Sequence, residues 1–213
     1  VESIGGWGQG QMLVFVGTFS LINALNMIFY FFGLSTIPEK VKNGSLDLYL
    51  TKPVSPLFRI SFENLDPGSV PLLLTSFVII GYGVTIGGLN PSIAQIVLYS
   101  YFVFIMTILW YDMQVILRSL SFFIISVDNI TKIEVALIEL SFNVPGIALR
   151  GFFKLFFYFI LPYGIMATIP VQALSGSLSF GGVILFSGVV VLFTLITAVI
   201  WKLGLRHYNS ASS

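Results

Sequence analysis

Long apolar runs alternate along this chain with short polar connections. A transmembrane helix needs about 20 mostly apolar residues at roughly 1.5 Å each, and residues 12–34 meet that with only Asn23 and Asn26 strongly polar inside. Residues 70–86 form a second span. The turn at 87–92 separates it from a run that starts at Ile93, meets Asp112 and Arg118, and stays apolar to Ser126. That length predicts one helix that bends or projects beyond the bilayer. A polar patch at 127–134 follows, then a moderately apolar piece at 135–143, a stretch broken by Pro145, Pro162 and Pro170, and a last span at 182–201. The pattern predicts an all-α integral membrane protein.

Composition narrows the function classes. Hydrophobic residues make up 56% of the 213 and charged ones 9%, where a soluble domain carries about a quarter charged. A formal net charge of +1 leaves too few Lys and Arg to neutralise a row of phosphates, so no nucleic-acid partner is expected. The absence of Cys and the single His207 exclude disulfides, cysteine nucleophiles and multi-histidine metal sites. No metal centre and no catalytic residue are assigned. The chain starts at Val1 without a basic, apolar leader, and further N-terminal sequence is expected.

Basic residues set the orientation, because short cytoplasmic loops are enriched in them. Lys40, Lys42, Lys52 and Arg59 lie in the first long connection, Arg118 and Lys132 lie around the second polar patch, and Lys202 and Arg206 follow the last span. These regions, and the C-terminus, are expected in the cytoplasm. The connections at 87–92 and 175–182 lack basic residues and fit the outside. Residues 133–181 must then cross an odd number of times. Either 133–149 cross and 151–171 form a re-entrant pair with Pro162 near its tip, or 133–141 lie on the surface and 152–168 cross. Broken helices at membrane depth are tolerated when protein covers the freed backbone groups.

The first connection, residues 35–69, gathers charges and prolines in an otherwise apolar chain. Leu46, Tyr49 and Leu50 fall at helical spacing, as on one side of a helix at the interface, although Leu46, Leu48 and Leu50 alternate as a strand would. The helical reading is preferred. Pro53 then stops it, since proline disfavours helical geometry in the residue before it.

The phrase "IPEKVKNGSLDLYLTKPVSPLFR" resembles the cytoplasmic loop of bacterial type-2 ABC transporter permeases through Gly44, Leu46, Asp47, Leu50, Lys52, Pro53 and Val54. The proline-punctuated stretch "FNVPGIALRGFFKLFFYFILPYGIMATIP" and the ending "WKLGLRHYNSAS" resemble the same subgroup, so the likeness covers nearly the whole chain. The resemblance implies a single permease domain over residues 1–213 that lacks its first helix. Five visible transmembrane helices of six would remain, with a re-entrant outer hairpin at 145–171 before the last. It implies a multi-pass exporter subunit in the bacterial cytoplasmic membrane, a separate ABC-type ATP-binding subunit carrying ATP and Mg, and a second permease copy or paralogue as partner. Residues 35–69 would be the loop that couples to the ATPase, with Lys40, Lys42, Gly44, Leu46, Asp47, Leu50, Lys52, Pro53 and Arg59 as its coupling residues.

The residues agree with a subunit that has no motor of its own. No Gly-Lys pair of the G-x-x-x-x-G-K-[ST] phosphate cradle occurs in the chain, so it is expected to be no enzyme. A pump subunit of this kind receives force through a short, braced docking surface. The bland alternative is an ordinary positive-inside loop touching lipid headgroups. Asp112 and Arg118 are candidates for a transport path, as intramembrane ionisable groups often are, although their six-residue separation does not suit a direct pair. Glu134 and Glu139 read as solvated or interfacial carboxylates rather than a proton relay. Arg150 and Lys154 would share a helix face and snorkel to headgroups. Asn23 and Asn26 are expected to hydrogen-bond to neighbouring helices. Gly83 and Gly87 match the small-xxx-small packing pattern and offer a dimer face. The glycosylation patterns at Asn43 and Asn129 read as coincidences on the cytoplasmic side. An intramembrane enzyme built on Asp112 and Asp128, or an ATP-independent channel or scaffold, is the alternative function.

Overall fold

The apolar runs fold into helices, several of them longer than a bilayer's hydrocarbon is thick. The computed structural model describes residues 5–124 and 128–208, without the side chains of 128–131 and 133. In chain order the helices are α1 (Gln9–Lys42), the single turn α2 (Asp47–Leu50), α3 (Pro56–Ser61), α4 (Pro67–Ile86), α5 (Ile93–Phe122), α6 (Asp128–Asn143), α7 (Gly151–Ile160), α8 (Pro162–Leu174) and α9 (Phe180–His207). No strand occurs among the described residues. α1, α4, α5 and α9 are each long and apolar enough to cross a membrane. At 1.5 Å per residue α1 and α5 run about 51 and about 45 Å, against a hydrocarbon core of about 30 Å. The protein is an all-α, multi-pass membrane protein. Its long helices project at one end, where α1 finishes with Lys40 and Lys42, α5 with Arg118, and α9 with Lys202 and Arg206. This is the basic end.

Two features of α1 differ from the pattern reading. The helix continues past Leu34 to Lys42, because Pro38 stands in the first turn of its last segment, where a missing N–H costs no hydrogen bond, and Ile37 is buried there. It also widens into a π turn at Met27–Phe31. Within that turn the Tyr30 hydroxyl donates to the Thr107 carbonyl of α5 at 2.9 Å.

α1 and α4 pack closely. A Cβ on Gly10 would collide with the Gly87 backbone, and one on Gly83 would meet the backbone of α1 at Val14 and Gly10. The small residues at 83 and 87 therefore serve contact within the chain, which corrects their reading as a dimer face.

α6 is shorter, at 16 residues, yet it joins the two ends of the bundle. Glu134 sits beside Arg118 at the basic end, Phe142 meets Phe19 edge-on at 5.3 Å, and Ile147 just beyond the helix lies against Gly5, before the start of α1. α7 and α8 follow as a pair bent by 85°. Gly151 at the start of α7 shares a cleft with Ser177 and Gly182, and Gly176 beyond α8 lies against Gln95 in the first turn of α5. The pair thus enters and leaves at the end opposite the basic one. Its break lies beside Pro162, and residues 162–171 are buried, so protein covers the backbone groups that the break releases. Arg150 is extended and α7 begins after it, so Arg150 and Lys154 do not share a helix face as expected. Lys154 lies over the Tyr158 ring instead.

The main core joins α1, α5, α8 and α9 through Phe15, Ile22, Met106, Trp110, Ile169 and Val190. A second cluster occupies the basic end.

Candidate functional site

The second cluster shows how the connection between α1 and α4 is braced. Leu34 and Ile37 of α1, Val115 and Phe122 of α5, and Trp201 of α9 close around Leu46 and Ile60 of that connection. Phe122 stands edge-on to Trp201 at 5.5 Å and to Tyr208 at 6.2 Å. The ends of three long helices and the loop share one apolar plug.

Local chemistry sets the loop's path. Asn43 stops α1, its side-chain oxygen accepting from the backbone N–H and hydroxyl of Ser45, while Gly44 turns the chain at φ +78°, a geometry that suits glycine. The Leu46 N–H then donates back to the Lys40 carbonyl at 3.2 Å. α2 follows, and Ser55 caps α3 by accepting from the Phe58 N–H. α3 returns along α1, with Gly33 against the Ile60 carbonyl and the Asp66 N–H donating to the Ile28 carbonyl at 3.1 Å.

A carboxylate that sequence reasoning did not single out ties the loop together. Glu63 accepts from Lys40 Nζ, from the Tyr49 hydroxyl at 2.6 Å and from the Thr36 hydroxyl at 3.3 Å. The Arg59 guanidinium lies 4.9 Å from the Tyr49 ring centre, within cation–π range. Desolvation, then the Glu63 hydrogen bond, push the Tyr49 hydroxyl above the usual tyrosine range. Asp47 faces Tyr208, whose hydroxyl is raised by desolvation first and then by the Asp47 charge.

The nine residues assigned to the loop divide into two sets. Leu46 is buried, Lys40 is held by Glu63, and Asp47 turns toward the end of α9, while Gly44 shapes the turn. Lys42, Leu50, Lys52, Pro53 and Arg59 are exposed, together with Leu48 and Val54. The expected common face of Leu46, Tyr49 and Leu50 is divided likewise. Leu46 and Tyr49 pack inward, and Leu50 points out.

Asp112 and Arg118 are both buried but do not meet. The Thr194 hydroxyl of α9 donates to Asp112 Oδ2 at 2.6 Å. Arg118 donates to Glu134 Oε2 at 2.6 Å, and Glu134 Oε1 also accepts from Gln114 at 2.7 Å and from the Tyr163 hydroxyl at 3.3 Å. Glu134 is only 3% exposed, which corrects its reading as a solvated carboxylate. Its burial follows from helical phase, since Leu137, Ile138 and Phe142 pack into the core from the same side of α6. Asn26 is buried with its Oδ1 lacking a hydrogen-bond partner among the described residues, so the expected interhelical bond is not made there. The Asp128 side chain and the side chain of Asn129 lie outside the described residues.

Residues 1–212 match the family described as ABC-2 family transporter protein. The chain belongs to that family. No curated protein and no solved structure matches it. As an ABC-2 membrane protein it is a transport subunit, and the family implies an ATP-binding partner subunit.

Proposed function

We propose that the chain is the permease subunit of an ATP-driven exporter, worked through its basic end by a separate ATP-binding subunit that carries ATP and Mg. The observation that carries this reading is the division of residues 35–69 into buried braces and an exposed face. Leu48, Leu50, Lys52, Pro53 and Val54 are open to a partner, while Leu46 and Ile60 share a plug with α1, α5 and α9. A push on the exposed face therefore reaches three long helices at once. Closure of the ATP-binding subunits moves this loop, and the helices change the side on which the cargo path opens. That path runs between this chain and a second copy or paralogue. The basic end and the C-terminus face the cytoplasm by the positive-inside rule. The α7–α8 pair is then a re-entrant outer hairpin, and the membrane is the bacterial cytoplasmic one.

The test is co-purification of the full-length protein in mild detergent with quantitative mass spectrometry, comparing wild type with a Leu48→Asp, Lys52→Glu double variant. Both side chains are exposed, so insertion is expected to be unaffected. Recovery of an ATP-binding subunit with wild type and its loss with the variant is the expected result. Equal recovery with both would remove this loop from the docking surface.

A further inference from the structure

Beyond the exposed face just described, the same connection carries a second apolar surface at a different depth. Phe58, Phe62 and Leu65 are 60%, 44% and 56% exposed, and the rings of Phe58 and Phe62 touch, with centroids 5.0 Å apart. Their level along the bundle is fixed by two backbone contacts: Ile60 lies against Gly33, and Asp66 is bonded to Ile28. Residues 28–34 are the last apolar stretch of α1 before Glu39, Lys40 and Lys42. Phe29 and Phe32 of that stretch are themselves exposed, and Phe32 and Leu65 are the apolar members of one shallow hollow whose other walls are polar, Glu63, Asn64 and Asp66 among them. Five exposed apolar side chains thus stand near the level where the span's apolar stretch meets its charged end. Arg59, between the two rings in sequence, points its cation at Tyr49 on the loop side.

We propose that Phe58, Phe62 and Leu65 are an interfacial keel, inserted at the boundary between headgroups and acyl chains, so that the bilayer itself holds the second half of the connection. Aromatic and aliphatic side chains beside a basic residue at this level are the chemistry that binds a membrane interface. A water-facing surface gains nothing from leaving two touching phenylalanines open. The keel rests on the chain's crossing of the membrane and not on the docking reading, because its residues are distinct from Leu48, Leu50 and Val54.

Residues 1–213 contain no cysteine, so single Phe58→Cys, Phe62→Cys, Leu65→Cys and Leu48→Cys variants, made in a background with any cysteine outside them replaced by serine, each take one nitroxide label. In proteoliposomes, collision with oxygen, which concentrates in acyl chains, is compared with collision with a water-soluble nickel chelate. The expected result is a several-fold higher oxygen-to-nickel ratio at 58, 62 and 65 than at 48. Ratios at 58, 62 and 65 equal to that at 48 would place the keel in water and overturn the proposal. Exclusion of both reagents at those positions would show a protein covering the surface and overturn it equally. The three exposed positions are independent, so a misfolded variant at one leaves the test to the others. Loss of the ATP-binding subunit from the preparation leaves the expected ratios unchanged.

Discussion

Glu134 and Glu63 are hubs of the same chemistry at two depths. Each accepts from one cation, one tyrosine hydroxyl and one further side chain: Arg118, Tyr163 and Gln114 for the first, Lys40, Tyr49 and Thr36 for the second. The Arg118–Glu134 pair has side chains 6% and 2% exposed, the Lys40–Glu63 pair 14% and 20%. Removing one member of a fully buried pair strands the other charge in an apolar surrounding, whereas water can re-solvate a partner at the rim. The deep hub therefore fixes how α5, α6 and the bent pair meet. The rim hub is a clasp that can open and close at small cost.

The largest effect expected from this contrast belongs to Glu134→Ala, which leaves Arg118 buried and unpaired and costs about 3–5 kcal/mol, read as a lowered unfolding midpoint in detergent. Replacing both charges, with Arg118→Met and Glu134→Leu, is expected to recover most of that loss. A double variant as unstable as the single one would show that depth is not what separates the hubs. Gly10→Leu tests burial without charge. It is expected to cost about 1–3 kcal/mol by forcing α1 from α4, and an unchanged midpoint would mean the two helices are held by something other than their close approach. Glu63→Gln is expected to lower stability by about 1 kcal/mol or less and to show chiefly as faster proteolysis within residues 43–66. A loss as large as that of Glu134→Ala would erase the comparison. Smallest of all should be Asn26→Leu. Its carboxamide oxygen lacks a partner among the described residues, so an apolar side chain of similar size is expected to leave the midpoint level or raise it slightly.

The spans were legible because an apolar run of the required length has few other uses, and residues 70–86 show it well. The end of α1 was not, since Glu39, Lys40 and Lys42 read as loop, and the placing of Pro38 in a first turn together with the burial of Ile37 explains a continued helix. Glu134 was hidden by its polar neighbours in "VDNITKIE". Its phase with Ile138, Ser141 and Phe142 was the signal available. Gly83 and Gly87 announced a close contact but carried no information on which helix would supply it. In the loop, Gly44, Pro53 and the leucines were visible as a motif. Their division into brace and exposed face depends on the ends of α5 and α9, which lie far away in sequence.

The wide turn at Met27–Phe31 gives α1 a phase offset. One extra residue in a helical turn rotates all that follows by about 100° relative to a regular helix, and here Leu34 and Ile37 are thereby aligned with the plug while Phe15 and Ile22 keep their own bearing on the main core. α1 is geared rather than simply long. A regular helix of the same sequence would turn the lower half of the shaft out of mesh with the loop it carries, whereas deleting one residue within 27–31 would let the wide turn close to a regular one and keep Leu34 and Ile37 on their bearing.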